Sequence, residues 1–153
     1  MTTRYLSDQE FFAIYSKVPR LNVDLIIKTD AGILMALRSI EPYLDHWHLP
    51  GGTVYKTETI EQAALRVAQT ETGLVCEMVT CHGYMEFPHE IRSGSTPETQ
   101  NIDTHTVSIV IELAVVGGEL RHDGNAKELI YVKELPPQTV TEHATFLTTR
   151  NFF

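Results

Sequence analysis

The sequence predicts an α/β domain, a β-sheet covered by helices, on three observations. Apolar runs of strand length recur at Leu21 to Lys28, Ile33 to Arg38 and Thr106 to Val116. Between them, Thr57 to Thr72 switches to helical spacing, and Thr141 to Arg150 reads as a terminal helix after Pro136-Pro137. Strands on both sides of a central helix bury their apolar faces most simply as a sheet with helices packed on it. The chain has 153 residues, 42% of them hydrophobic, with 9 Gly and 7 Pro, so residues 1–153 suffice for one domain with a sizeable core.

Each element has a local reason. Ser7-x-x-Glu10 is a capping box ahead of Phe11, Phe12, Ile14 and Tyr15, which predicts a short helix within Ser7 to Val18, ended by Pro19. Thr29-Asp30-Ala31-Gly32 between the first two apolar runs has the composition of a hairpin turn. Residues 39–57, with Pro42, His46-Trp47-His48 and Pro50-Gly51-Gly52, read as a long irregular loop, and long ordered loops tend to be functional. In the central helix Ile60, Ala63, Ala64, Val67 and Ala68 form the apolar stripe, and Gly73 stands where a helix C-terminus needs a left-handed residue. Leu74 to Glu86 reads as one or two strands, His89 to Asp103 as a polar loop, and Leu129 to Val132 as a short strand.

The formal net charge of −8 argues against a nucleic-acid binder, which needs a basic face to release counterions. Cys76 and Cys81 lack the spacing of a disulfide framework or a zinc ligand set and read as reduced packing thiols. No apolar run has signal-peptide or membrane-span length, so a cytoplasmic protein without membrane association is expected.

One constellation carries chemistry: Gly52, Glu58, Arg66, Glu71, Gly73 and Leu74, preceded by Trp47-His48-Leu49-Pro50-Gly51. The glycines let backbone approach a phosphate or offer a carbonyl to a metal, and positions 67, 70 and 71 of the following helix are neighbours on one face. Carboxylates gathered there would hold a hard cation such as Mg²⁺ through oxygen, and the cation would neutralise a bound diphosphate. Glu71 lies in the last helical turn, where the helix dipole disfavours an anion by roughly 0.3–1 kcal/mol, and a bound cation would offset that. Arg66 reads equally well as a partner in a structural ion pair.

This spacing resembles the Nudix hydrolase box, Gly-x5-Glu-x7-Arg-Glu-U-x-Glu-Glu-x-Gly-U. The resemblance implies the Nudix fold, a mixed β-sheet sandwiched between helices. It also departs from the pattern, because Val67 and Thr70 stand where the family carries Glu, which implies fewer protein ligands to metal. One subgroup with that deficit, the GDP-mannose mannosyl hydrolases, is similar further along the chain, at Val18-Pro19-x-x-x-Val23-Asp24, Arg38 and Lys56-x-Glu58-Thr59-x-Glu61.

That resemblance implies roles residue by residue. Asp24 and Arg38 would contact substrate, with Arg38 also sharing the charge of the leaving diphosphate. The Gly51 carbonyl, Glu71 and Asn125 would hold Mg²⁺, with Mn²⁺ an alternative, and His89 would assist the leaving group. Thr53 replaces a phosphate-contacting Arg, and Ala126 replaces the His base, so His122 becomes the candidate base if its loop folds back; a polar loop residue is the alternative. Glu90, Glu98 and Asp103 are further loop carboxylates able to serve as ligand or base, or simply to be solvated. The leading function implied is Mg²⁺-dependent hydrolysis of a nucleoside diphosphate sugar, GDP-mannose mannosyl hydrolase-like, in a homodimer. The alternatives are a pyrophosphohydrolase cutting the phosphoanhydride, and a Nudix-fold nucleotide-binding module without catalysis.

Overall fold

A computed structural model describes residues 6–121 and 124–153. The elements in chain order are α1 (Asp8–Tyr15), β1 (Arg20–Thr29), β2 (Gly32–Arg38), β3 (Trp47–His48), β4 (Gly51–Thr53), α2 (Ile60–Thr72), β5 (Leu74–Arg92), a single 3₁₀ turn at Pro97–Thr99, β6 (Ile102–Gly118), β7 (Ala126–Val132) and α3 (Thr141–Thr149). The expected Ser7–Glu10 capping box forms at α1, and Thr59 with Gln62 forms another at α2. Gly73 closes α2 at φ 75°, and a side chain there would run into the Glu119 carbonyl at 2.3 Å. Among the described residues no helix is long and apolar enough to cross a membrane.

Among the described residues the seven strands join one mixed sheet. β6 pairs in parallel with β1 and antiparallel with β5, while β2 carries β3 and β7. β1 is forked on its other edge, bonded to β4 at Asn22 to Asp24 and to β2 at Lys28 and Thr29. Period-2 alternation sorts its residues between two layers. Val23, Leu25 and Ile27 of β1, with Ile111 and Leu113 of β6, pack under Ala63, Ala64, Val67 and Ala68 of α2. Ile26 of β1, Val110 of β6 and Met85 and Phe87 of β5 pack under Phe146 and Leu147 of α3 on the opposite face.

Three expectations change. Residues 39–57 are not wholly irregular, since β3 and β4 lie within them. α1 ends at Tyr15, short of Pro19, with Ser16 as its C-cap. The polar stretch beginning at His89 is not loop at its start: β5 continues to Arg92, because β6 reaches back to Ile102 and supplies the partner strand that polarity alone does not reveal.

Candidate functional site

On the α3 face the sheet changes character along its length. Ile26 and Val110 are apolar, but the same-face residues preceding them in their strands are Arg20, Asn22 and Asp24 on β1 and Thr106 and Ser108 on β6. Where the apolar cover ends, a cavity of about 240 Å³ opens. Arg20, Asn22, Asp24, Arg38, Gly51, Gly52, Thr53, Glu71, Glu90, Arg92, Asn125 and His143 are among the residues lining it. The chain thus brings together Asp24, Arg38, Gly51, Gly52, Glu71 and Asn125 from five separate segments.

The box residues divide into clamp and site. Arg66 binds Glu58 through Nε at 2.6 Å and Nη2 at 3.1 Å, donates to the Thr53 carbonyl at 2.8 Å, and stacks 3.9 Å over the Tyr55 ring. Those contacts tie the loop before α2 to the helix. Glu71 reaches the other side, where its carboxylate accepts from the Gly51 N–H at 3.2 Å. Gly51 tolerates no side chain, because a Cβ would lie 2.1 Å from the Asp24 carboxylate and 2.6 Å from the Val23 carbonyl. This packing brings the Glu71 carboxylate to the backbone at Gly51, beside Asp24.

Val67 is buried and packs against Gly52, whereas Thr70 is exposed. Among the described residues no three His, Cys, Asp or Glu side chains gather as a metal cluster. Oxygen-bearing groups on the cavity wall include the Glu71, Asp24 and Glu90 carboxylates, the Gly51 backbone and the Asn125 amide. Carboxylate oxygens together with neutral oxygens fit Mg²⁺, which keeps several waters and relies on substrate phosphates for much of its shell.

One expected residue falls elsewhere. His89 does not join the cavity: its side chain is 79% exposed and bonds Asp103 at 3.0 Å. The cause is a β-bulge, in which Phe87 to Glu90 advances three residues while the partner Thr106 to Thr104 advances two. The extra residue turns Glu90 and Arg92 inward in place of His89. His122 lies outside the described residues.

Residues that the sequence pattern did not single out complete the site. Glu90, offered above only as one of several loop carboxylates, is buried; it accepts from Thr106 Oγ1 at 2.7 Å and from Arg92 Nη2 at 3.2 Å. His143 accepts the Leu49 N–H at its Nδ1, which leaves the ring proton on Nε2, 3.7 Å from Asp24. Burial holds His48 and His143 down to about 3, and it pushes the Asp24 carboxyl up to about 7 against the opposing pull of the Ser108 hydroxyl, Arg20 and Arg38. The hint for Arg20 and Asn22 was present in the alternation of Arg20, Asn22 and Asp24 within an otherwise apolar strand.

The family model described as NUDIX domain matches residues 18–151. The chain is 33% identical over 129 residues to Low-salt glycan biosynthesis protein Agl8 of Haloferax volcanii, a match covering 84% of this chain and 79% of that one. It is 36% identical over 110 residues to an ADP-ribose pyrophosphatase of Methanocaldococcus jannaschii, covering 72% of this chain and 59% of that one. Among solved structures, the MutT NUDIX hydrolase of Burkholderia pseudomallei is similar with TM-score 0.68 at 24% identity, covering 86% of this chain and 97% of that one.

Proposed function

The chain belongs to the NUDIX domain family, the Nudix hydrolases, and from that membership we propose that it hydrolyses a nucleoside diphosphate sugar with Mg²⁺, in the manner of a GDP-mannose mannosyl hydrolase, releasing the nucleoside diphosphate and free sugar. The observation that carries this reading is the convergence of Glu71, the Gly51 backbone, Asn125, Arg38 and Asp24 on one cavity. Mg²⁺, held by Glu71, the Gly51 carbonyl and Asn125, would neutralise the diphosphate. Arg38, anchored through Nε on the Ile40 carbonyl at 3.1 Å, keeps further N–H groups for phosphate oxygens. Asp24, whose carboxyl lines the cavity, would take a proton from the attacking water. His143 does not take that role, since its Nδ1 is engaged and its Nε2 carries the proton.

The name of the Haloferax relative, a glycan biosynthesis protein, supports a sugar-bearing substrate. The name of the Methanocaldococcus relative, an ADP-ribose pyrophosphatase, favours a second reading in which the phosphoanhydride is cut instead. The apolar Val67 under Gly52 favours a third, a binding module without turnover. Product analysis separates them, with GDP-mannose, GDP-glucose, ADP-ribose and ADP-glucose tested with and without Mg²⁺. The expected result is nucleoside diphosphate plus free sugar, abolished by chelator and reduced on the order of 10²-fold or more by Glu71→Gln, the scale of losing one group that stabilises developing charge. Nucleoside monophosphate would establish the second reading, and chelator-insensitive binding without turnover the third.

A further inference from the structure

The cavity wall away from Glu71 holds a charge whose burial its neighbours do not offset. Arg20 donates to Thr53 Oγ1 at 2.8 Å through Nη1 and to Thr106 Oγ1 at 3.4 and 3.3 Å through Nε and Nη2, and it lies 5.9 Å over the Phe11 ring. Those hydrogen-bond partners are neutral hydroxyls. Glu90 and Asp24 act on it through space, yet burial outweighs them and, with repulsion from Arg92, lowers the guanidinium to about 10. Beside it, Arg92 gives Nη2 to Glu90 but leaves a buried Nε–H without a partner, and Asn22 Oδ1 on the same wall is also buried and unpartnered.

A half-buried cation whose hydrogen bonds go to neutral groups is costly, and a buried N–H without a partner adds to the cost. An entering oxyanion relieves both, because a guanidinium matches phosphate oxygens with parallel N–H bonds. The wall bears two cations, Arg20 and Arg92, with the Glu90 carboxylate between them and Asp24 further along β1. Its position also separates it from the Glu71 end: Gly51 pairs with Asp24 and Thr53 with Asn22, two residues or roughly 7 Å further along the strand.

We propose that Arg20 and Arg92 form a second oxyanion subsite on the β1–β6–β5 wall, taking a phosphate of the ligand other than the one at the Gly51–Glu71–Arg38 end. The proposal rests on reading the cavity as a diphosphate site. Asn22 Oδ1, an acceptor, suits a hydroxyl on the group that this phosphate carries.

The test is calorimetric titration in Mg²⁺ with inorganic pyrophosphate and orthophosphate as probes, on the full chain and on Arg20→Met, with thermal unfolding of each protein without ligand. Wild type is expected to bind pyrophosphate more tightly than orthophosphate. Arg20→Met should lower pyrophosphate affinity roughly 10–100-fold, the worth of one charge-assisted hydrogen bond, with orthophosphate affinity within about threefold of wild type. Thermal unfolding establishes that the variant is folded at the titration temperature. If Arg20→Met does not fold, Arg20→Lys, which keeps charge but loses the fork, should show a smaller loss confined to pyrophosphate. A folded variant that keeps the pyrophosphate preference, or loses both probes equally, overturns the subsite while leaving the reading of the cavity intact. Wild type binding neither probe overturns both.

Discussion

β1 and β6 serve two faces of the sheet on alternate residues, and the faces differ in what they hold. Toward α2 the strands present Val23, Leu25, Ile27, Ile111 and Leu113, an unbroken apolar layer. Toward α3 they present Ile26 and Val110 and then Arg20, Asn22, Asp24, Thr106 and Ser108. The first face gains stability from area removed from water, while the second gives up part of that gain to hold buried polar groups around the cavity. The apolar core and the candidate site thereby lie on opposite sides of the same two strands, one residue apart in sequence.

The largest effect should come from the apolar side. Leu25→Ala, at a fully buried position between α2 and the sheet, is expected to cost about 4 kcal/mol, in the upper part of the range for such truncations, measured by urea unfolding. Its effect on turnover by the folded fraction should be small; a large loss of kcat in folded protein would break the separation of the two faces.

A second effect, somewhat smaller, tests whether the polar side is dry. Asp24, with its carboxyl at about 7, keeps in the fold a proton that the unfolded chain loses near 3.8, so by itself it makes stability fall as pH rises between those values. His48 and His143, held to about 3, are neutral in the fold while the unfolded chain protonates them below 6.5, so each makes stability rise with pH from about 3 to 6.5. Two histidines against one aspartate leave a net rise of about 1.4 kcal/mol per pH unit between roughly pH 4 and 6.5. Urea midpoints across that window measure it, and Asp24→Asn should steepen the slope. A flat profile would mean that water reaches these groups.

The smallest effect belongs to His89, which the bulge turns outward next to inward-facing Glu90. His89→Gln should change kcat/KM by less than about threefold, well under the 10²–10⁴-fold that a general acid or base contributes. A hundredfold loss would show that the β5 bulge rearranges when substrate binds.

The readable parts of the site were those set by short-range spacing. Gly52, Glu58, Arg66, Glu71 and Gly73 lie within one loop and helix, where 3.6-residue periodicity and capping fix which side chains meet. The Glu58–Arg66 clamp and the left-handed Gly73 follow from that stretch alone. Glu90 and Arg92 were not readable in this way, because their face depends on one extra residue in β5 against β6, and a single-residue slip inverts every side chain beyond it.

The sequence by itself determined the order of the main strands and helices, the Ser7–Glu10 cap, the Gly73 terminus and the apolar stripe of α2, since each rests on contacts between residues close in the chain or on a simple period. Only the tertiary structure decided which polar residues share the α3 face. Arg20, Thr53, Thr106, Glu90 and Arg92 meet across four strands through a parallel pairing, a forked edge and a bulge. Such registers are chosen by the packing of the whole sheet, and no local stretch encodes them.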